Sequence, residues 1–164
     1  MANSSLGQIA TILRRHGVEF VVIGGQAETI FGSPRVTYDV DLCYRRNEQN
    51  LRRLAAALKE IGVTLRGAPA DLPFRLDEQS LALGSNFTFS TPLGDLDLLG
   101  WVEPIGDYDA IIPRAERHRF AGDEFLTISL DDLIRVKEHI RRAKDRESLL
   151  QLNAIRELRR RGEA

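Results

Sequence analysis

Four aspartates in two matching pairs carry the chemistry open to this sequence: Asp39 and Asp41 in "YDVDLCY", and Asp95 and Asp97 in "GDLDLLG". In extended chain, side chains two apart share a face and lie roughly 7 Å apart at Cα, so each pair can converge on one small object. Val40, Leu42 and Tyr44, and likewise Leu96 and Leu98, then take the opposite, buried face. Acids are depleted in strands, and like charges held side by side repel. A divalent cation between them removes the conflict, and magnesium suits such a site because it prefers oxygen ligands and keeps room for waters and substrate phosphates. If the two segments are neighbouring strands, three or four carboxylates meet. That is enough for two ions about 3.5–4 Å apart, the arrangement that stabilises attacking and leaving oxygens in phosphoryl or nucleotidyl transfer. Without a cation the same acids read as solvated strand faces, and Asp95, directly after Gly94, fits a turn.

Other residues join this centre by position. Gly24 and Gly25 end the apolar run "FVVI" and precede a helical pattern, so the backbone there can approach a ligand closely and offer unpaired N–H groups to phosphate. No GxGxxG and no Gly-Lys-Ser/Thr follows, which excludes a dinucleotide fingerprint and a P-loop. Arg35 has the planar fork that suits phosphate, or pairs with a nearby acid. Thr37 shares the face of Asp39. Lys137, Arg141 and Lys144 fall on one helical stripe, which is either a solvated face or a cationic wall. Cys43 lies on the aspartate face and reads as a small buried residue, with no His beside it in sequence. His16, His118 and His139 have no zinc spacing. Trp101 and the seven phenylalanines read as core.

The elements that must position these groups follow from periodicity. Leu6, Ile9, Ile12 and Leu13 predict a helix from Ser5 to Arg15, stopped by Gly17. "VEFVVIGG" is a strand with a short helix after it, and "NEQNLRRLAAALKEIG" a helix with Asn47 as N-cap and Gly62 beyond its end. "NFTFSTPLGDLDLLGW" predicts two strands joined at "PLG", and "RHRF" with "EFLTIS" a second hairpin around "AGD". From Ser129, itself a cap, a charged amphipathic helix runs toward the end with a break near Asp145. Nothing regular is assigned between Val63 and Gly84. Strands mixed with helices give an α/β or α+β domain with a mixed sheet.

The bulk properties agree. The 164 residues, 43% hydrophobic, suit a single domain over 1–164, with a core at about 18–128 and a C-terminal helical segment at about 129–161. Basic and acidic residues, 23 against 24, nearly cancel, so the chain as a whole is no polyanion binder. The N-terminal stretch has no signal-peptide pattern and no apolar run is long enough to cross a bilayer, so a cytoplasmic protein with no membrane partner is expected. A single cysteine fits a reducing compartment.

Taken in order, the glycine pair, "GSPRVTYDVDL", "TPLGDLDLLG" and "SLDDLIRVKEHIRRAKDRESLLQL" resemble the DNA polymerase β-type nucleotidyltransferase superfamily, and within it the small bacterial proteins grouped with AbiEii-type toxin nucleotidyltransferases. The likeness spans about Val18 to Leu152. Its most specific parts are the run from Arg35 to Asp41 and the run from Lys137 to Asp145. The resemblance implies a magnesium-dependent enzyme, with two ions during catalysis, that moves a nucleoside monophosphate from an NTP such as ATP to a hydroxyl on RNA, protein or a small molecule. It implies Gly24 and Gly25 as the phosphate turn, Asp39 and Asp41 as metal ligands, and Asp97 as the third carboxylate, both metal ligand and proton acceptor, with Asp95 as the alternative. Lys137, Arg142 and Lys144 would face the triphosphate, with Arg35 and Thr37 alongside. A toxin role would bring an antitoxin partner. The chain departs from many superfamily members in having Gly-Gly-Gln where they have Gly-Ser, and in lacking Gly or Pro after Lys137. Two further readings are a non-catalytic relative acting as a binding or regulatory partner, and a DxD phosphohydrolase.

Overall fold

The computed structural model describes residues 4–34, 36–69, 71, 74–120, 122–140, 142–143 and 145–163. The first helix, α1 (Ser5–Arg15), is capped by Ser4, whose hydroxyl accepts from the Gly7 N–H at 3.0 Å. It is followed by β1 (Phe20–Ile23), α2 (Gly24–Ile30), β2 (Val40–Tyr44) and α3 (Glu48–Ile61). Asn47 caps α3 through the Asn50 N–H, and Gly62 ends it in the left-handed conformation at φ 84°. Both ends are those the sequence announces.

The stretch without an expected element holds a two-residue strand, β3 (Thr64–Leu65), and the short helix α4 (Glu78–Leu83). Their brevity is why no periodicity shows. Next come β4 (Asn86–Ser90) and β5 (Leu96–Leu99), antiparallel as expected, then α5 (Tyr108–Ile111) with a 3₁₀ turn (Ile112–Arg114). The hairpin β6 (Glu116–Phe120) and β7 (Asp123–Thr127) leads to α6 (Leu130–Ile140) and α7 (Asp145–Arg160). The Asp132 N–H donates to Ser129 Oγ at 3.1 Å, the expected cap of α6, and the helix stops before Asp145 as expected.

The seven strands form one mixed sheet in the order β3-β4-β5-β2-β1-β7-β6. Its centre decides the site. β2 runs antiparallel to β1, pairing Asp41 with Ile23, and parallel to β5, pairing Asp41 with Asp97 and Leu42 with Leu98. Val40, Leu42, Leu96 and Leu98 are thereby placed together on the opposite face and are at most 1% exposed. Helix α6 packs on α2 and α7 and lines the cavity on the aspartate face, while α3 packs on α1 and α4.

One buried amide ties the central strands to α3. Asn50, 1% exposed, accepts from the Glu19 N–H at 2.7 Å and donates to Glu19 O at 3.0 Å and Arg45 O at 2.7 Å. It therefore clamps the start of β1 and the end of β2. Asn50→Ala strands these backbone groups and is expected to destabilise the protein by about 2–3 kcal/mol, lowering the thermal midpoint by roughly 5–10 °C. Calorimetry of the variant checks this.

Candidate functional site

The extended alternation of β2 begins before the strand itself. Val36 and Tyr38 point outward, 73% and 81% exposed, while Thr37 and Asp39 turn inward with Asp41 to line one cavity of about 570 Å³. Asp97, in register with Asp41, lines it too. So do Gly24 and Gly25, with Lys137 and Arg142 from the α6 end. Asp95 is not among the lining residues. It precedes β5, its carbonyl accepts from the Val40 N–H at 3.0 Å, and its carboxylate lies 3.5 Å from Arg66 Nε. Arg35, Arg141 and Lys144 lie outside the described residues.

The glycine pair owes its absence of side chains to the acids. Gly24 has φ +68°, and a Cβ there would fall on the Asp41 carboxylate. A Cβ on Gly25 would come within 2.9 Å of Thr37 Cγ2. Gln26, the residue that departs from the Gly-Ser pattern, donates its side-chain amide to Thr37 O at 3.4 Å and Asp39 O at 3.3 Å, bracing the strap that carries Asp39.

Burial and like charges shape the acids. The Asp41 carboxyl is pushed up to about 7, first by burial, then by the charge of Asp97, a hydrogen bond shared with Asp97 and the charge of Asp39, with Lys137 pulling the other way. Cys43, on the same face, is buried, and burial followed by the charge of Asp107 raises its thiol to about 12. That fits a packing residue rather than a nucleophile.

The cationic side differs from a simple exposed stripe. Lys137 is 5% exposed, and its Nζ lies 3.2 Å from Glu28 Oε2 and 2.9 Å from Asp145 Oδ1. Arg142 Nε completes the cluster at 2.8 Å from Asp145 Oδ2. Burial alone would raise Asp145, but the hydrogen bonds from Arg142 and Lys137 and their charges outweigh it and hold the carboxyl low. This buried network pins the α6–α7 junction to α2.

Three residues escape the sequence reading. Trp101 is not core: it lines the cavity and is 53% exposed, with its indole N–H donating to Glu103 Oε1 at 2.9 Å. The signal was present, since Trp101 continues the alternation of Asp97 and Leu99. Glu28 sits on the buried face of a helix too short to show periodicity. Arg66, whose Nη2 lies 2.6 Å from Asp97 Oδ1, comes from the far side of β4.

A hard divalent cation takes carboxylate oxygens, and three carboxylates on one wall are that donor set in kind. A cation there would also relieve the crowding that lifts Asp41. As they stand, no three His, Cys, Asp or Glu side chains among the described residues are close enough to ligate one ion. Arg66 holds the Asp97 carboxylate.

No family model matches the chain, and no curated protein sequence matches it. Solved structures do. The chain has the fold of the lincosamide antibiotic adenylyltransferase LnuA, seen with lincomycin bound, at a TM-score of 0.62 and 13% identity over 92% of this chain and 96% of LnuA. It matches the antibiotic-resistance factor ANT(2'')-Ia at a TM-score of 0.58 and 14% identity over 95% of this chain and 89% of that one. The nucleotidyltransferase fold is thus shown, while neither structure bears on a likeness to AbiEii-type toxins. Among the described residues, no helix is long and apolar enough to cross a membrane.

Because the folded carboxyl of Asp41 is raised, its contribution to stability is fully present below about pH 4 and is lost as pH rises through about 7. Asp41→Asn removes that loss. In chelator, the variant is expected to unfold above the wild type by about 1–3 kcal/mol at pH 8, with the gap closing toward pH 4. Denaturant melts across that range test the sign.

Proposed function

We propose that this chain is a divalent-cation-dependent nucleotidyltransferase that moves a nucleoside monophosphate from an NTP to a hydroxyl of a small-molecule acceptor. The observation that carries this reading is the convergence of Asp39, Asp41 and Asp97 on one cavity, beside two glycines that leave no side chain in the way. A magnesium ion held by these carboxylates would supply charge stabilisation at the transferring phosphorus. The cavity, about 570 Å³, is of a size for small molecules. The protein named LnuA acts, by that name, on a lincosamide antibiotic, which favours a small hydroxylated acceptor over RNA or protein.

The chain's own residues then have separable tasks. Asp39 and Asp41 would hold the cation, with Asp97 as a third ligand. Asp97 accepts the proton of the acceptor hydroxyl as its oxygen bonds to the α-phosphorus and the bond to pyrophosphate breaks, so the products are the nucleotidylated acceptor and pyrophosphate. Among the described residues, Arg142, half exposed at the cavity wall, is a cation available to the triphosphate, and Lys137 acts through its field and through the cluster that fixes α6. Thr37 braces Gly25 on the strap beside Asp39. Leu99, Trp101, Val136 and Ile140 supply an apolar wall for a base or an acceptor ring.

The test is incubation with α-labelled NTPs, magnesium and a panel of hydroxylated antibiotics, followed by mass analysis of the acceptor. Transfer with pyrophosphate release is expected, falling by about 10³-fold or more in Asp39→Ala and Asp97→Ala. Failure to label any acceptor, with Asp39→Ala binding NTP and magnesium as the wild type does, would leave a non-catalytic binding protein. Independently, Trp101 is the only tryptophan, so NTP with magnesium is expected to change its emission directly. An unaltered spectrum at saturating nucleotide places the ligand elsewhere.

A further inference from the structure

Arg66 belongs to none of the sequence motifs, yet the edge of the sheet is arranged to deliver it. The two-residue β3 pairs with β4 through Thr64 with Ser90 and Leu65 with Phe89, and the Arg66 N–H continues the ladder to Thr88 O at 3.0 Å. From there the side chain crosses β4. Its Nη2 donates to Phe89 O at 2.8 Å and to Asp97 Oδ1 at 2.6 Å, while Nε stands 3.5 Å from Asp95 Oδ2. Nε is itself buried and makes no hydrogen bond. The guanidinium therefore faces both acids of "GDLDLLG" and has one backbone anchor. A lone surface pair would be worth little, but both partners here are largely shielded, with side-chain exposures of 31% and 25%.

We propose that Arg66 is a positioning residue for Asp97: its guanidinium fixes the orientation of that carboxylate and competes with a divalent cation for it, so that Arg66 sets how tightly the site takes the ion. The inference rests on the cation-dependent transfer reading. A positive charge in contact with a ligand oxygen opposes an incoming dication through Coulomb repulsion and by occupying a lone pair. The same contact keeps Asp97 from swinging freely toward Asp41, its neighbour in the β2–β5 register. Arg66 thus trades affinity for the ion against a defined proton acceptor.

Arg66→Met and Arg66→Gln, the latter able to keep the bond to Phe89 O, test this by titration with Mn²⁺ alone, read by calorimetry or by the spin signal of free Mn²⁺. Both variants are expected to bind Mn²⁺ roughly tenfold more tightly than the wild type, and Arg66→Lys to return within about threefold of it. In transfer assays, kcat of the neutral variants is expected to fall roughly 10–100-fold with the KM for NTP little changed. If Arg66 only staples β3 to β4, thermal stability falls while Mn²⁺ affinity stays put, and that result overturns the proposal. Wild-type protein that binds Mn²⁺, with neutral variants binding no tighter, sinks the Arg66 assignment alone. Absence of Mn²⁺ binding by wild type and variants alike removes the cation reading and this inference with it.

Discussion

Crowding of like charge is the constraint around which this molecule is arranged. Parallel pairing of β2 and β5 sets Asp97 beside Asp41, and the strap ahead of β2 adds Asp39 to the same wall. A sheet would ordinarily avoid such neighbours, because repulsion in a half-buried place is poorly screened. Here the surroundings answer it from several directions. Arg66 meets Asp97 from the β3 edge, Lys137 lowers the burden on Asp41 from α6, and Asp41 itself favours a proton up to about neutral pH. The glycine turn closes the set by leaving room for the Asp41 carboxylate that any side chain would fill.

The helices serve that wall at one remove. α6 and α7 meet at a buried cluster in which Glu28, Lys137 and Asp145 are all at most 5% exposed. Breaking such a cluster by removing one partner leaves an uncompensated charge, so it acts as a fastener with a strict stoichiometry. Its geometric effect is to hold the apolar face of α6, with Leu133, Val136 and Ile140, against the cavity that the acids line. Ser33 Oγ, donating to Gln151 Oε1 at 2.9 Å, ties α7 to the loop after α2 in the same way. Helix α6 is thus part of the cavity wall, with α7 packed against it.

The cavity is two-sided in character. Carboxylates line its inner wall, whereas Leu99, Trp101 and Val102 from the β5 side and the α6 residues make apolar walls. An indole half exposed to water is held in one orientation by Glu103, so the aromatic face is presented before any ligand arrives. The chain shares its fold with LnuA and ANT(2'')-Ia, and at 13–14% identity it is the fold alone that carries across.

Local pattern determined much of this protein. The caps at Asn47 and Ser129, the hairpins β4–β5 and β6–β7, the break ahead of Asp145 and the inward face shared by Thr37, Asp39 and Asp41 all follow from residue type and period, because each depends on neighbours a few positions away. The choice between Asp95 and Asp97 at the cavity did not, since a strand's own alternation puts both on one face. It took the β2–β5 register to set Asp97 opposite Asp41 and leave Asp95 just ahead of β5. Tertiary packing alone likewise buried Lys137 against Glu28 and brought Arg66 across β4. Those contacts join segments dozens of residues apart, and no periodicity along the chain encodes which strand edge will face which acid.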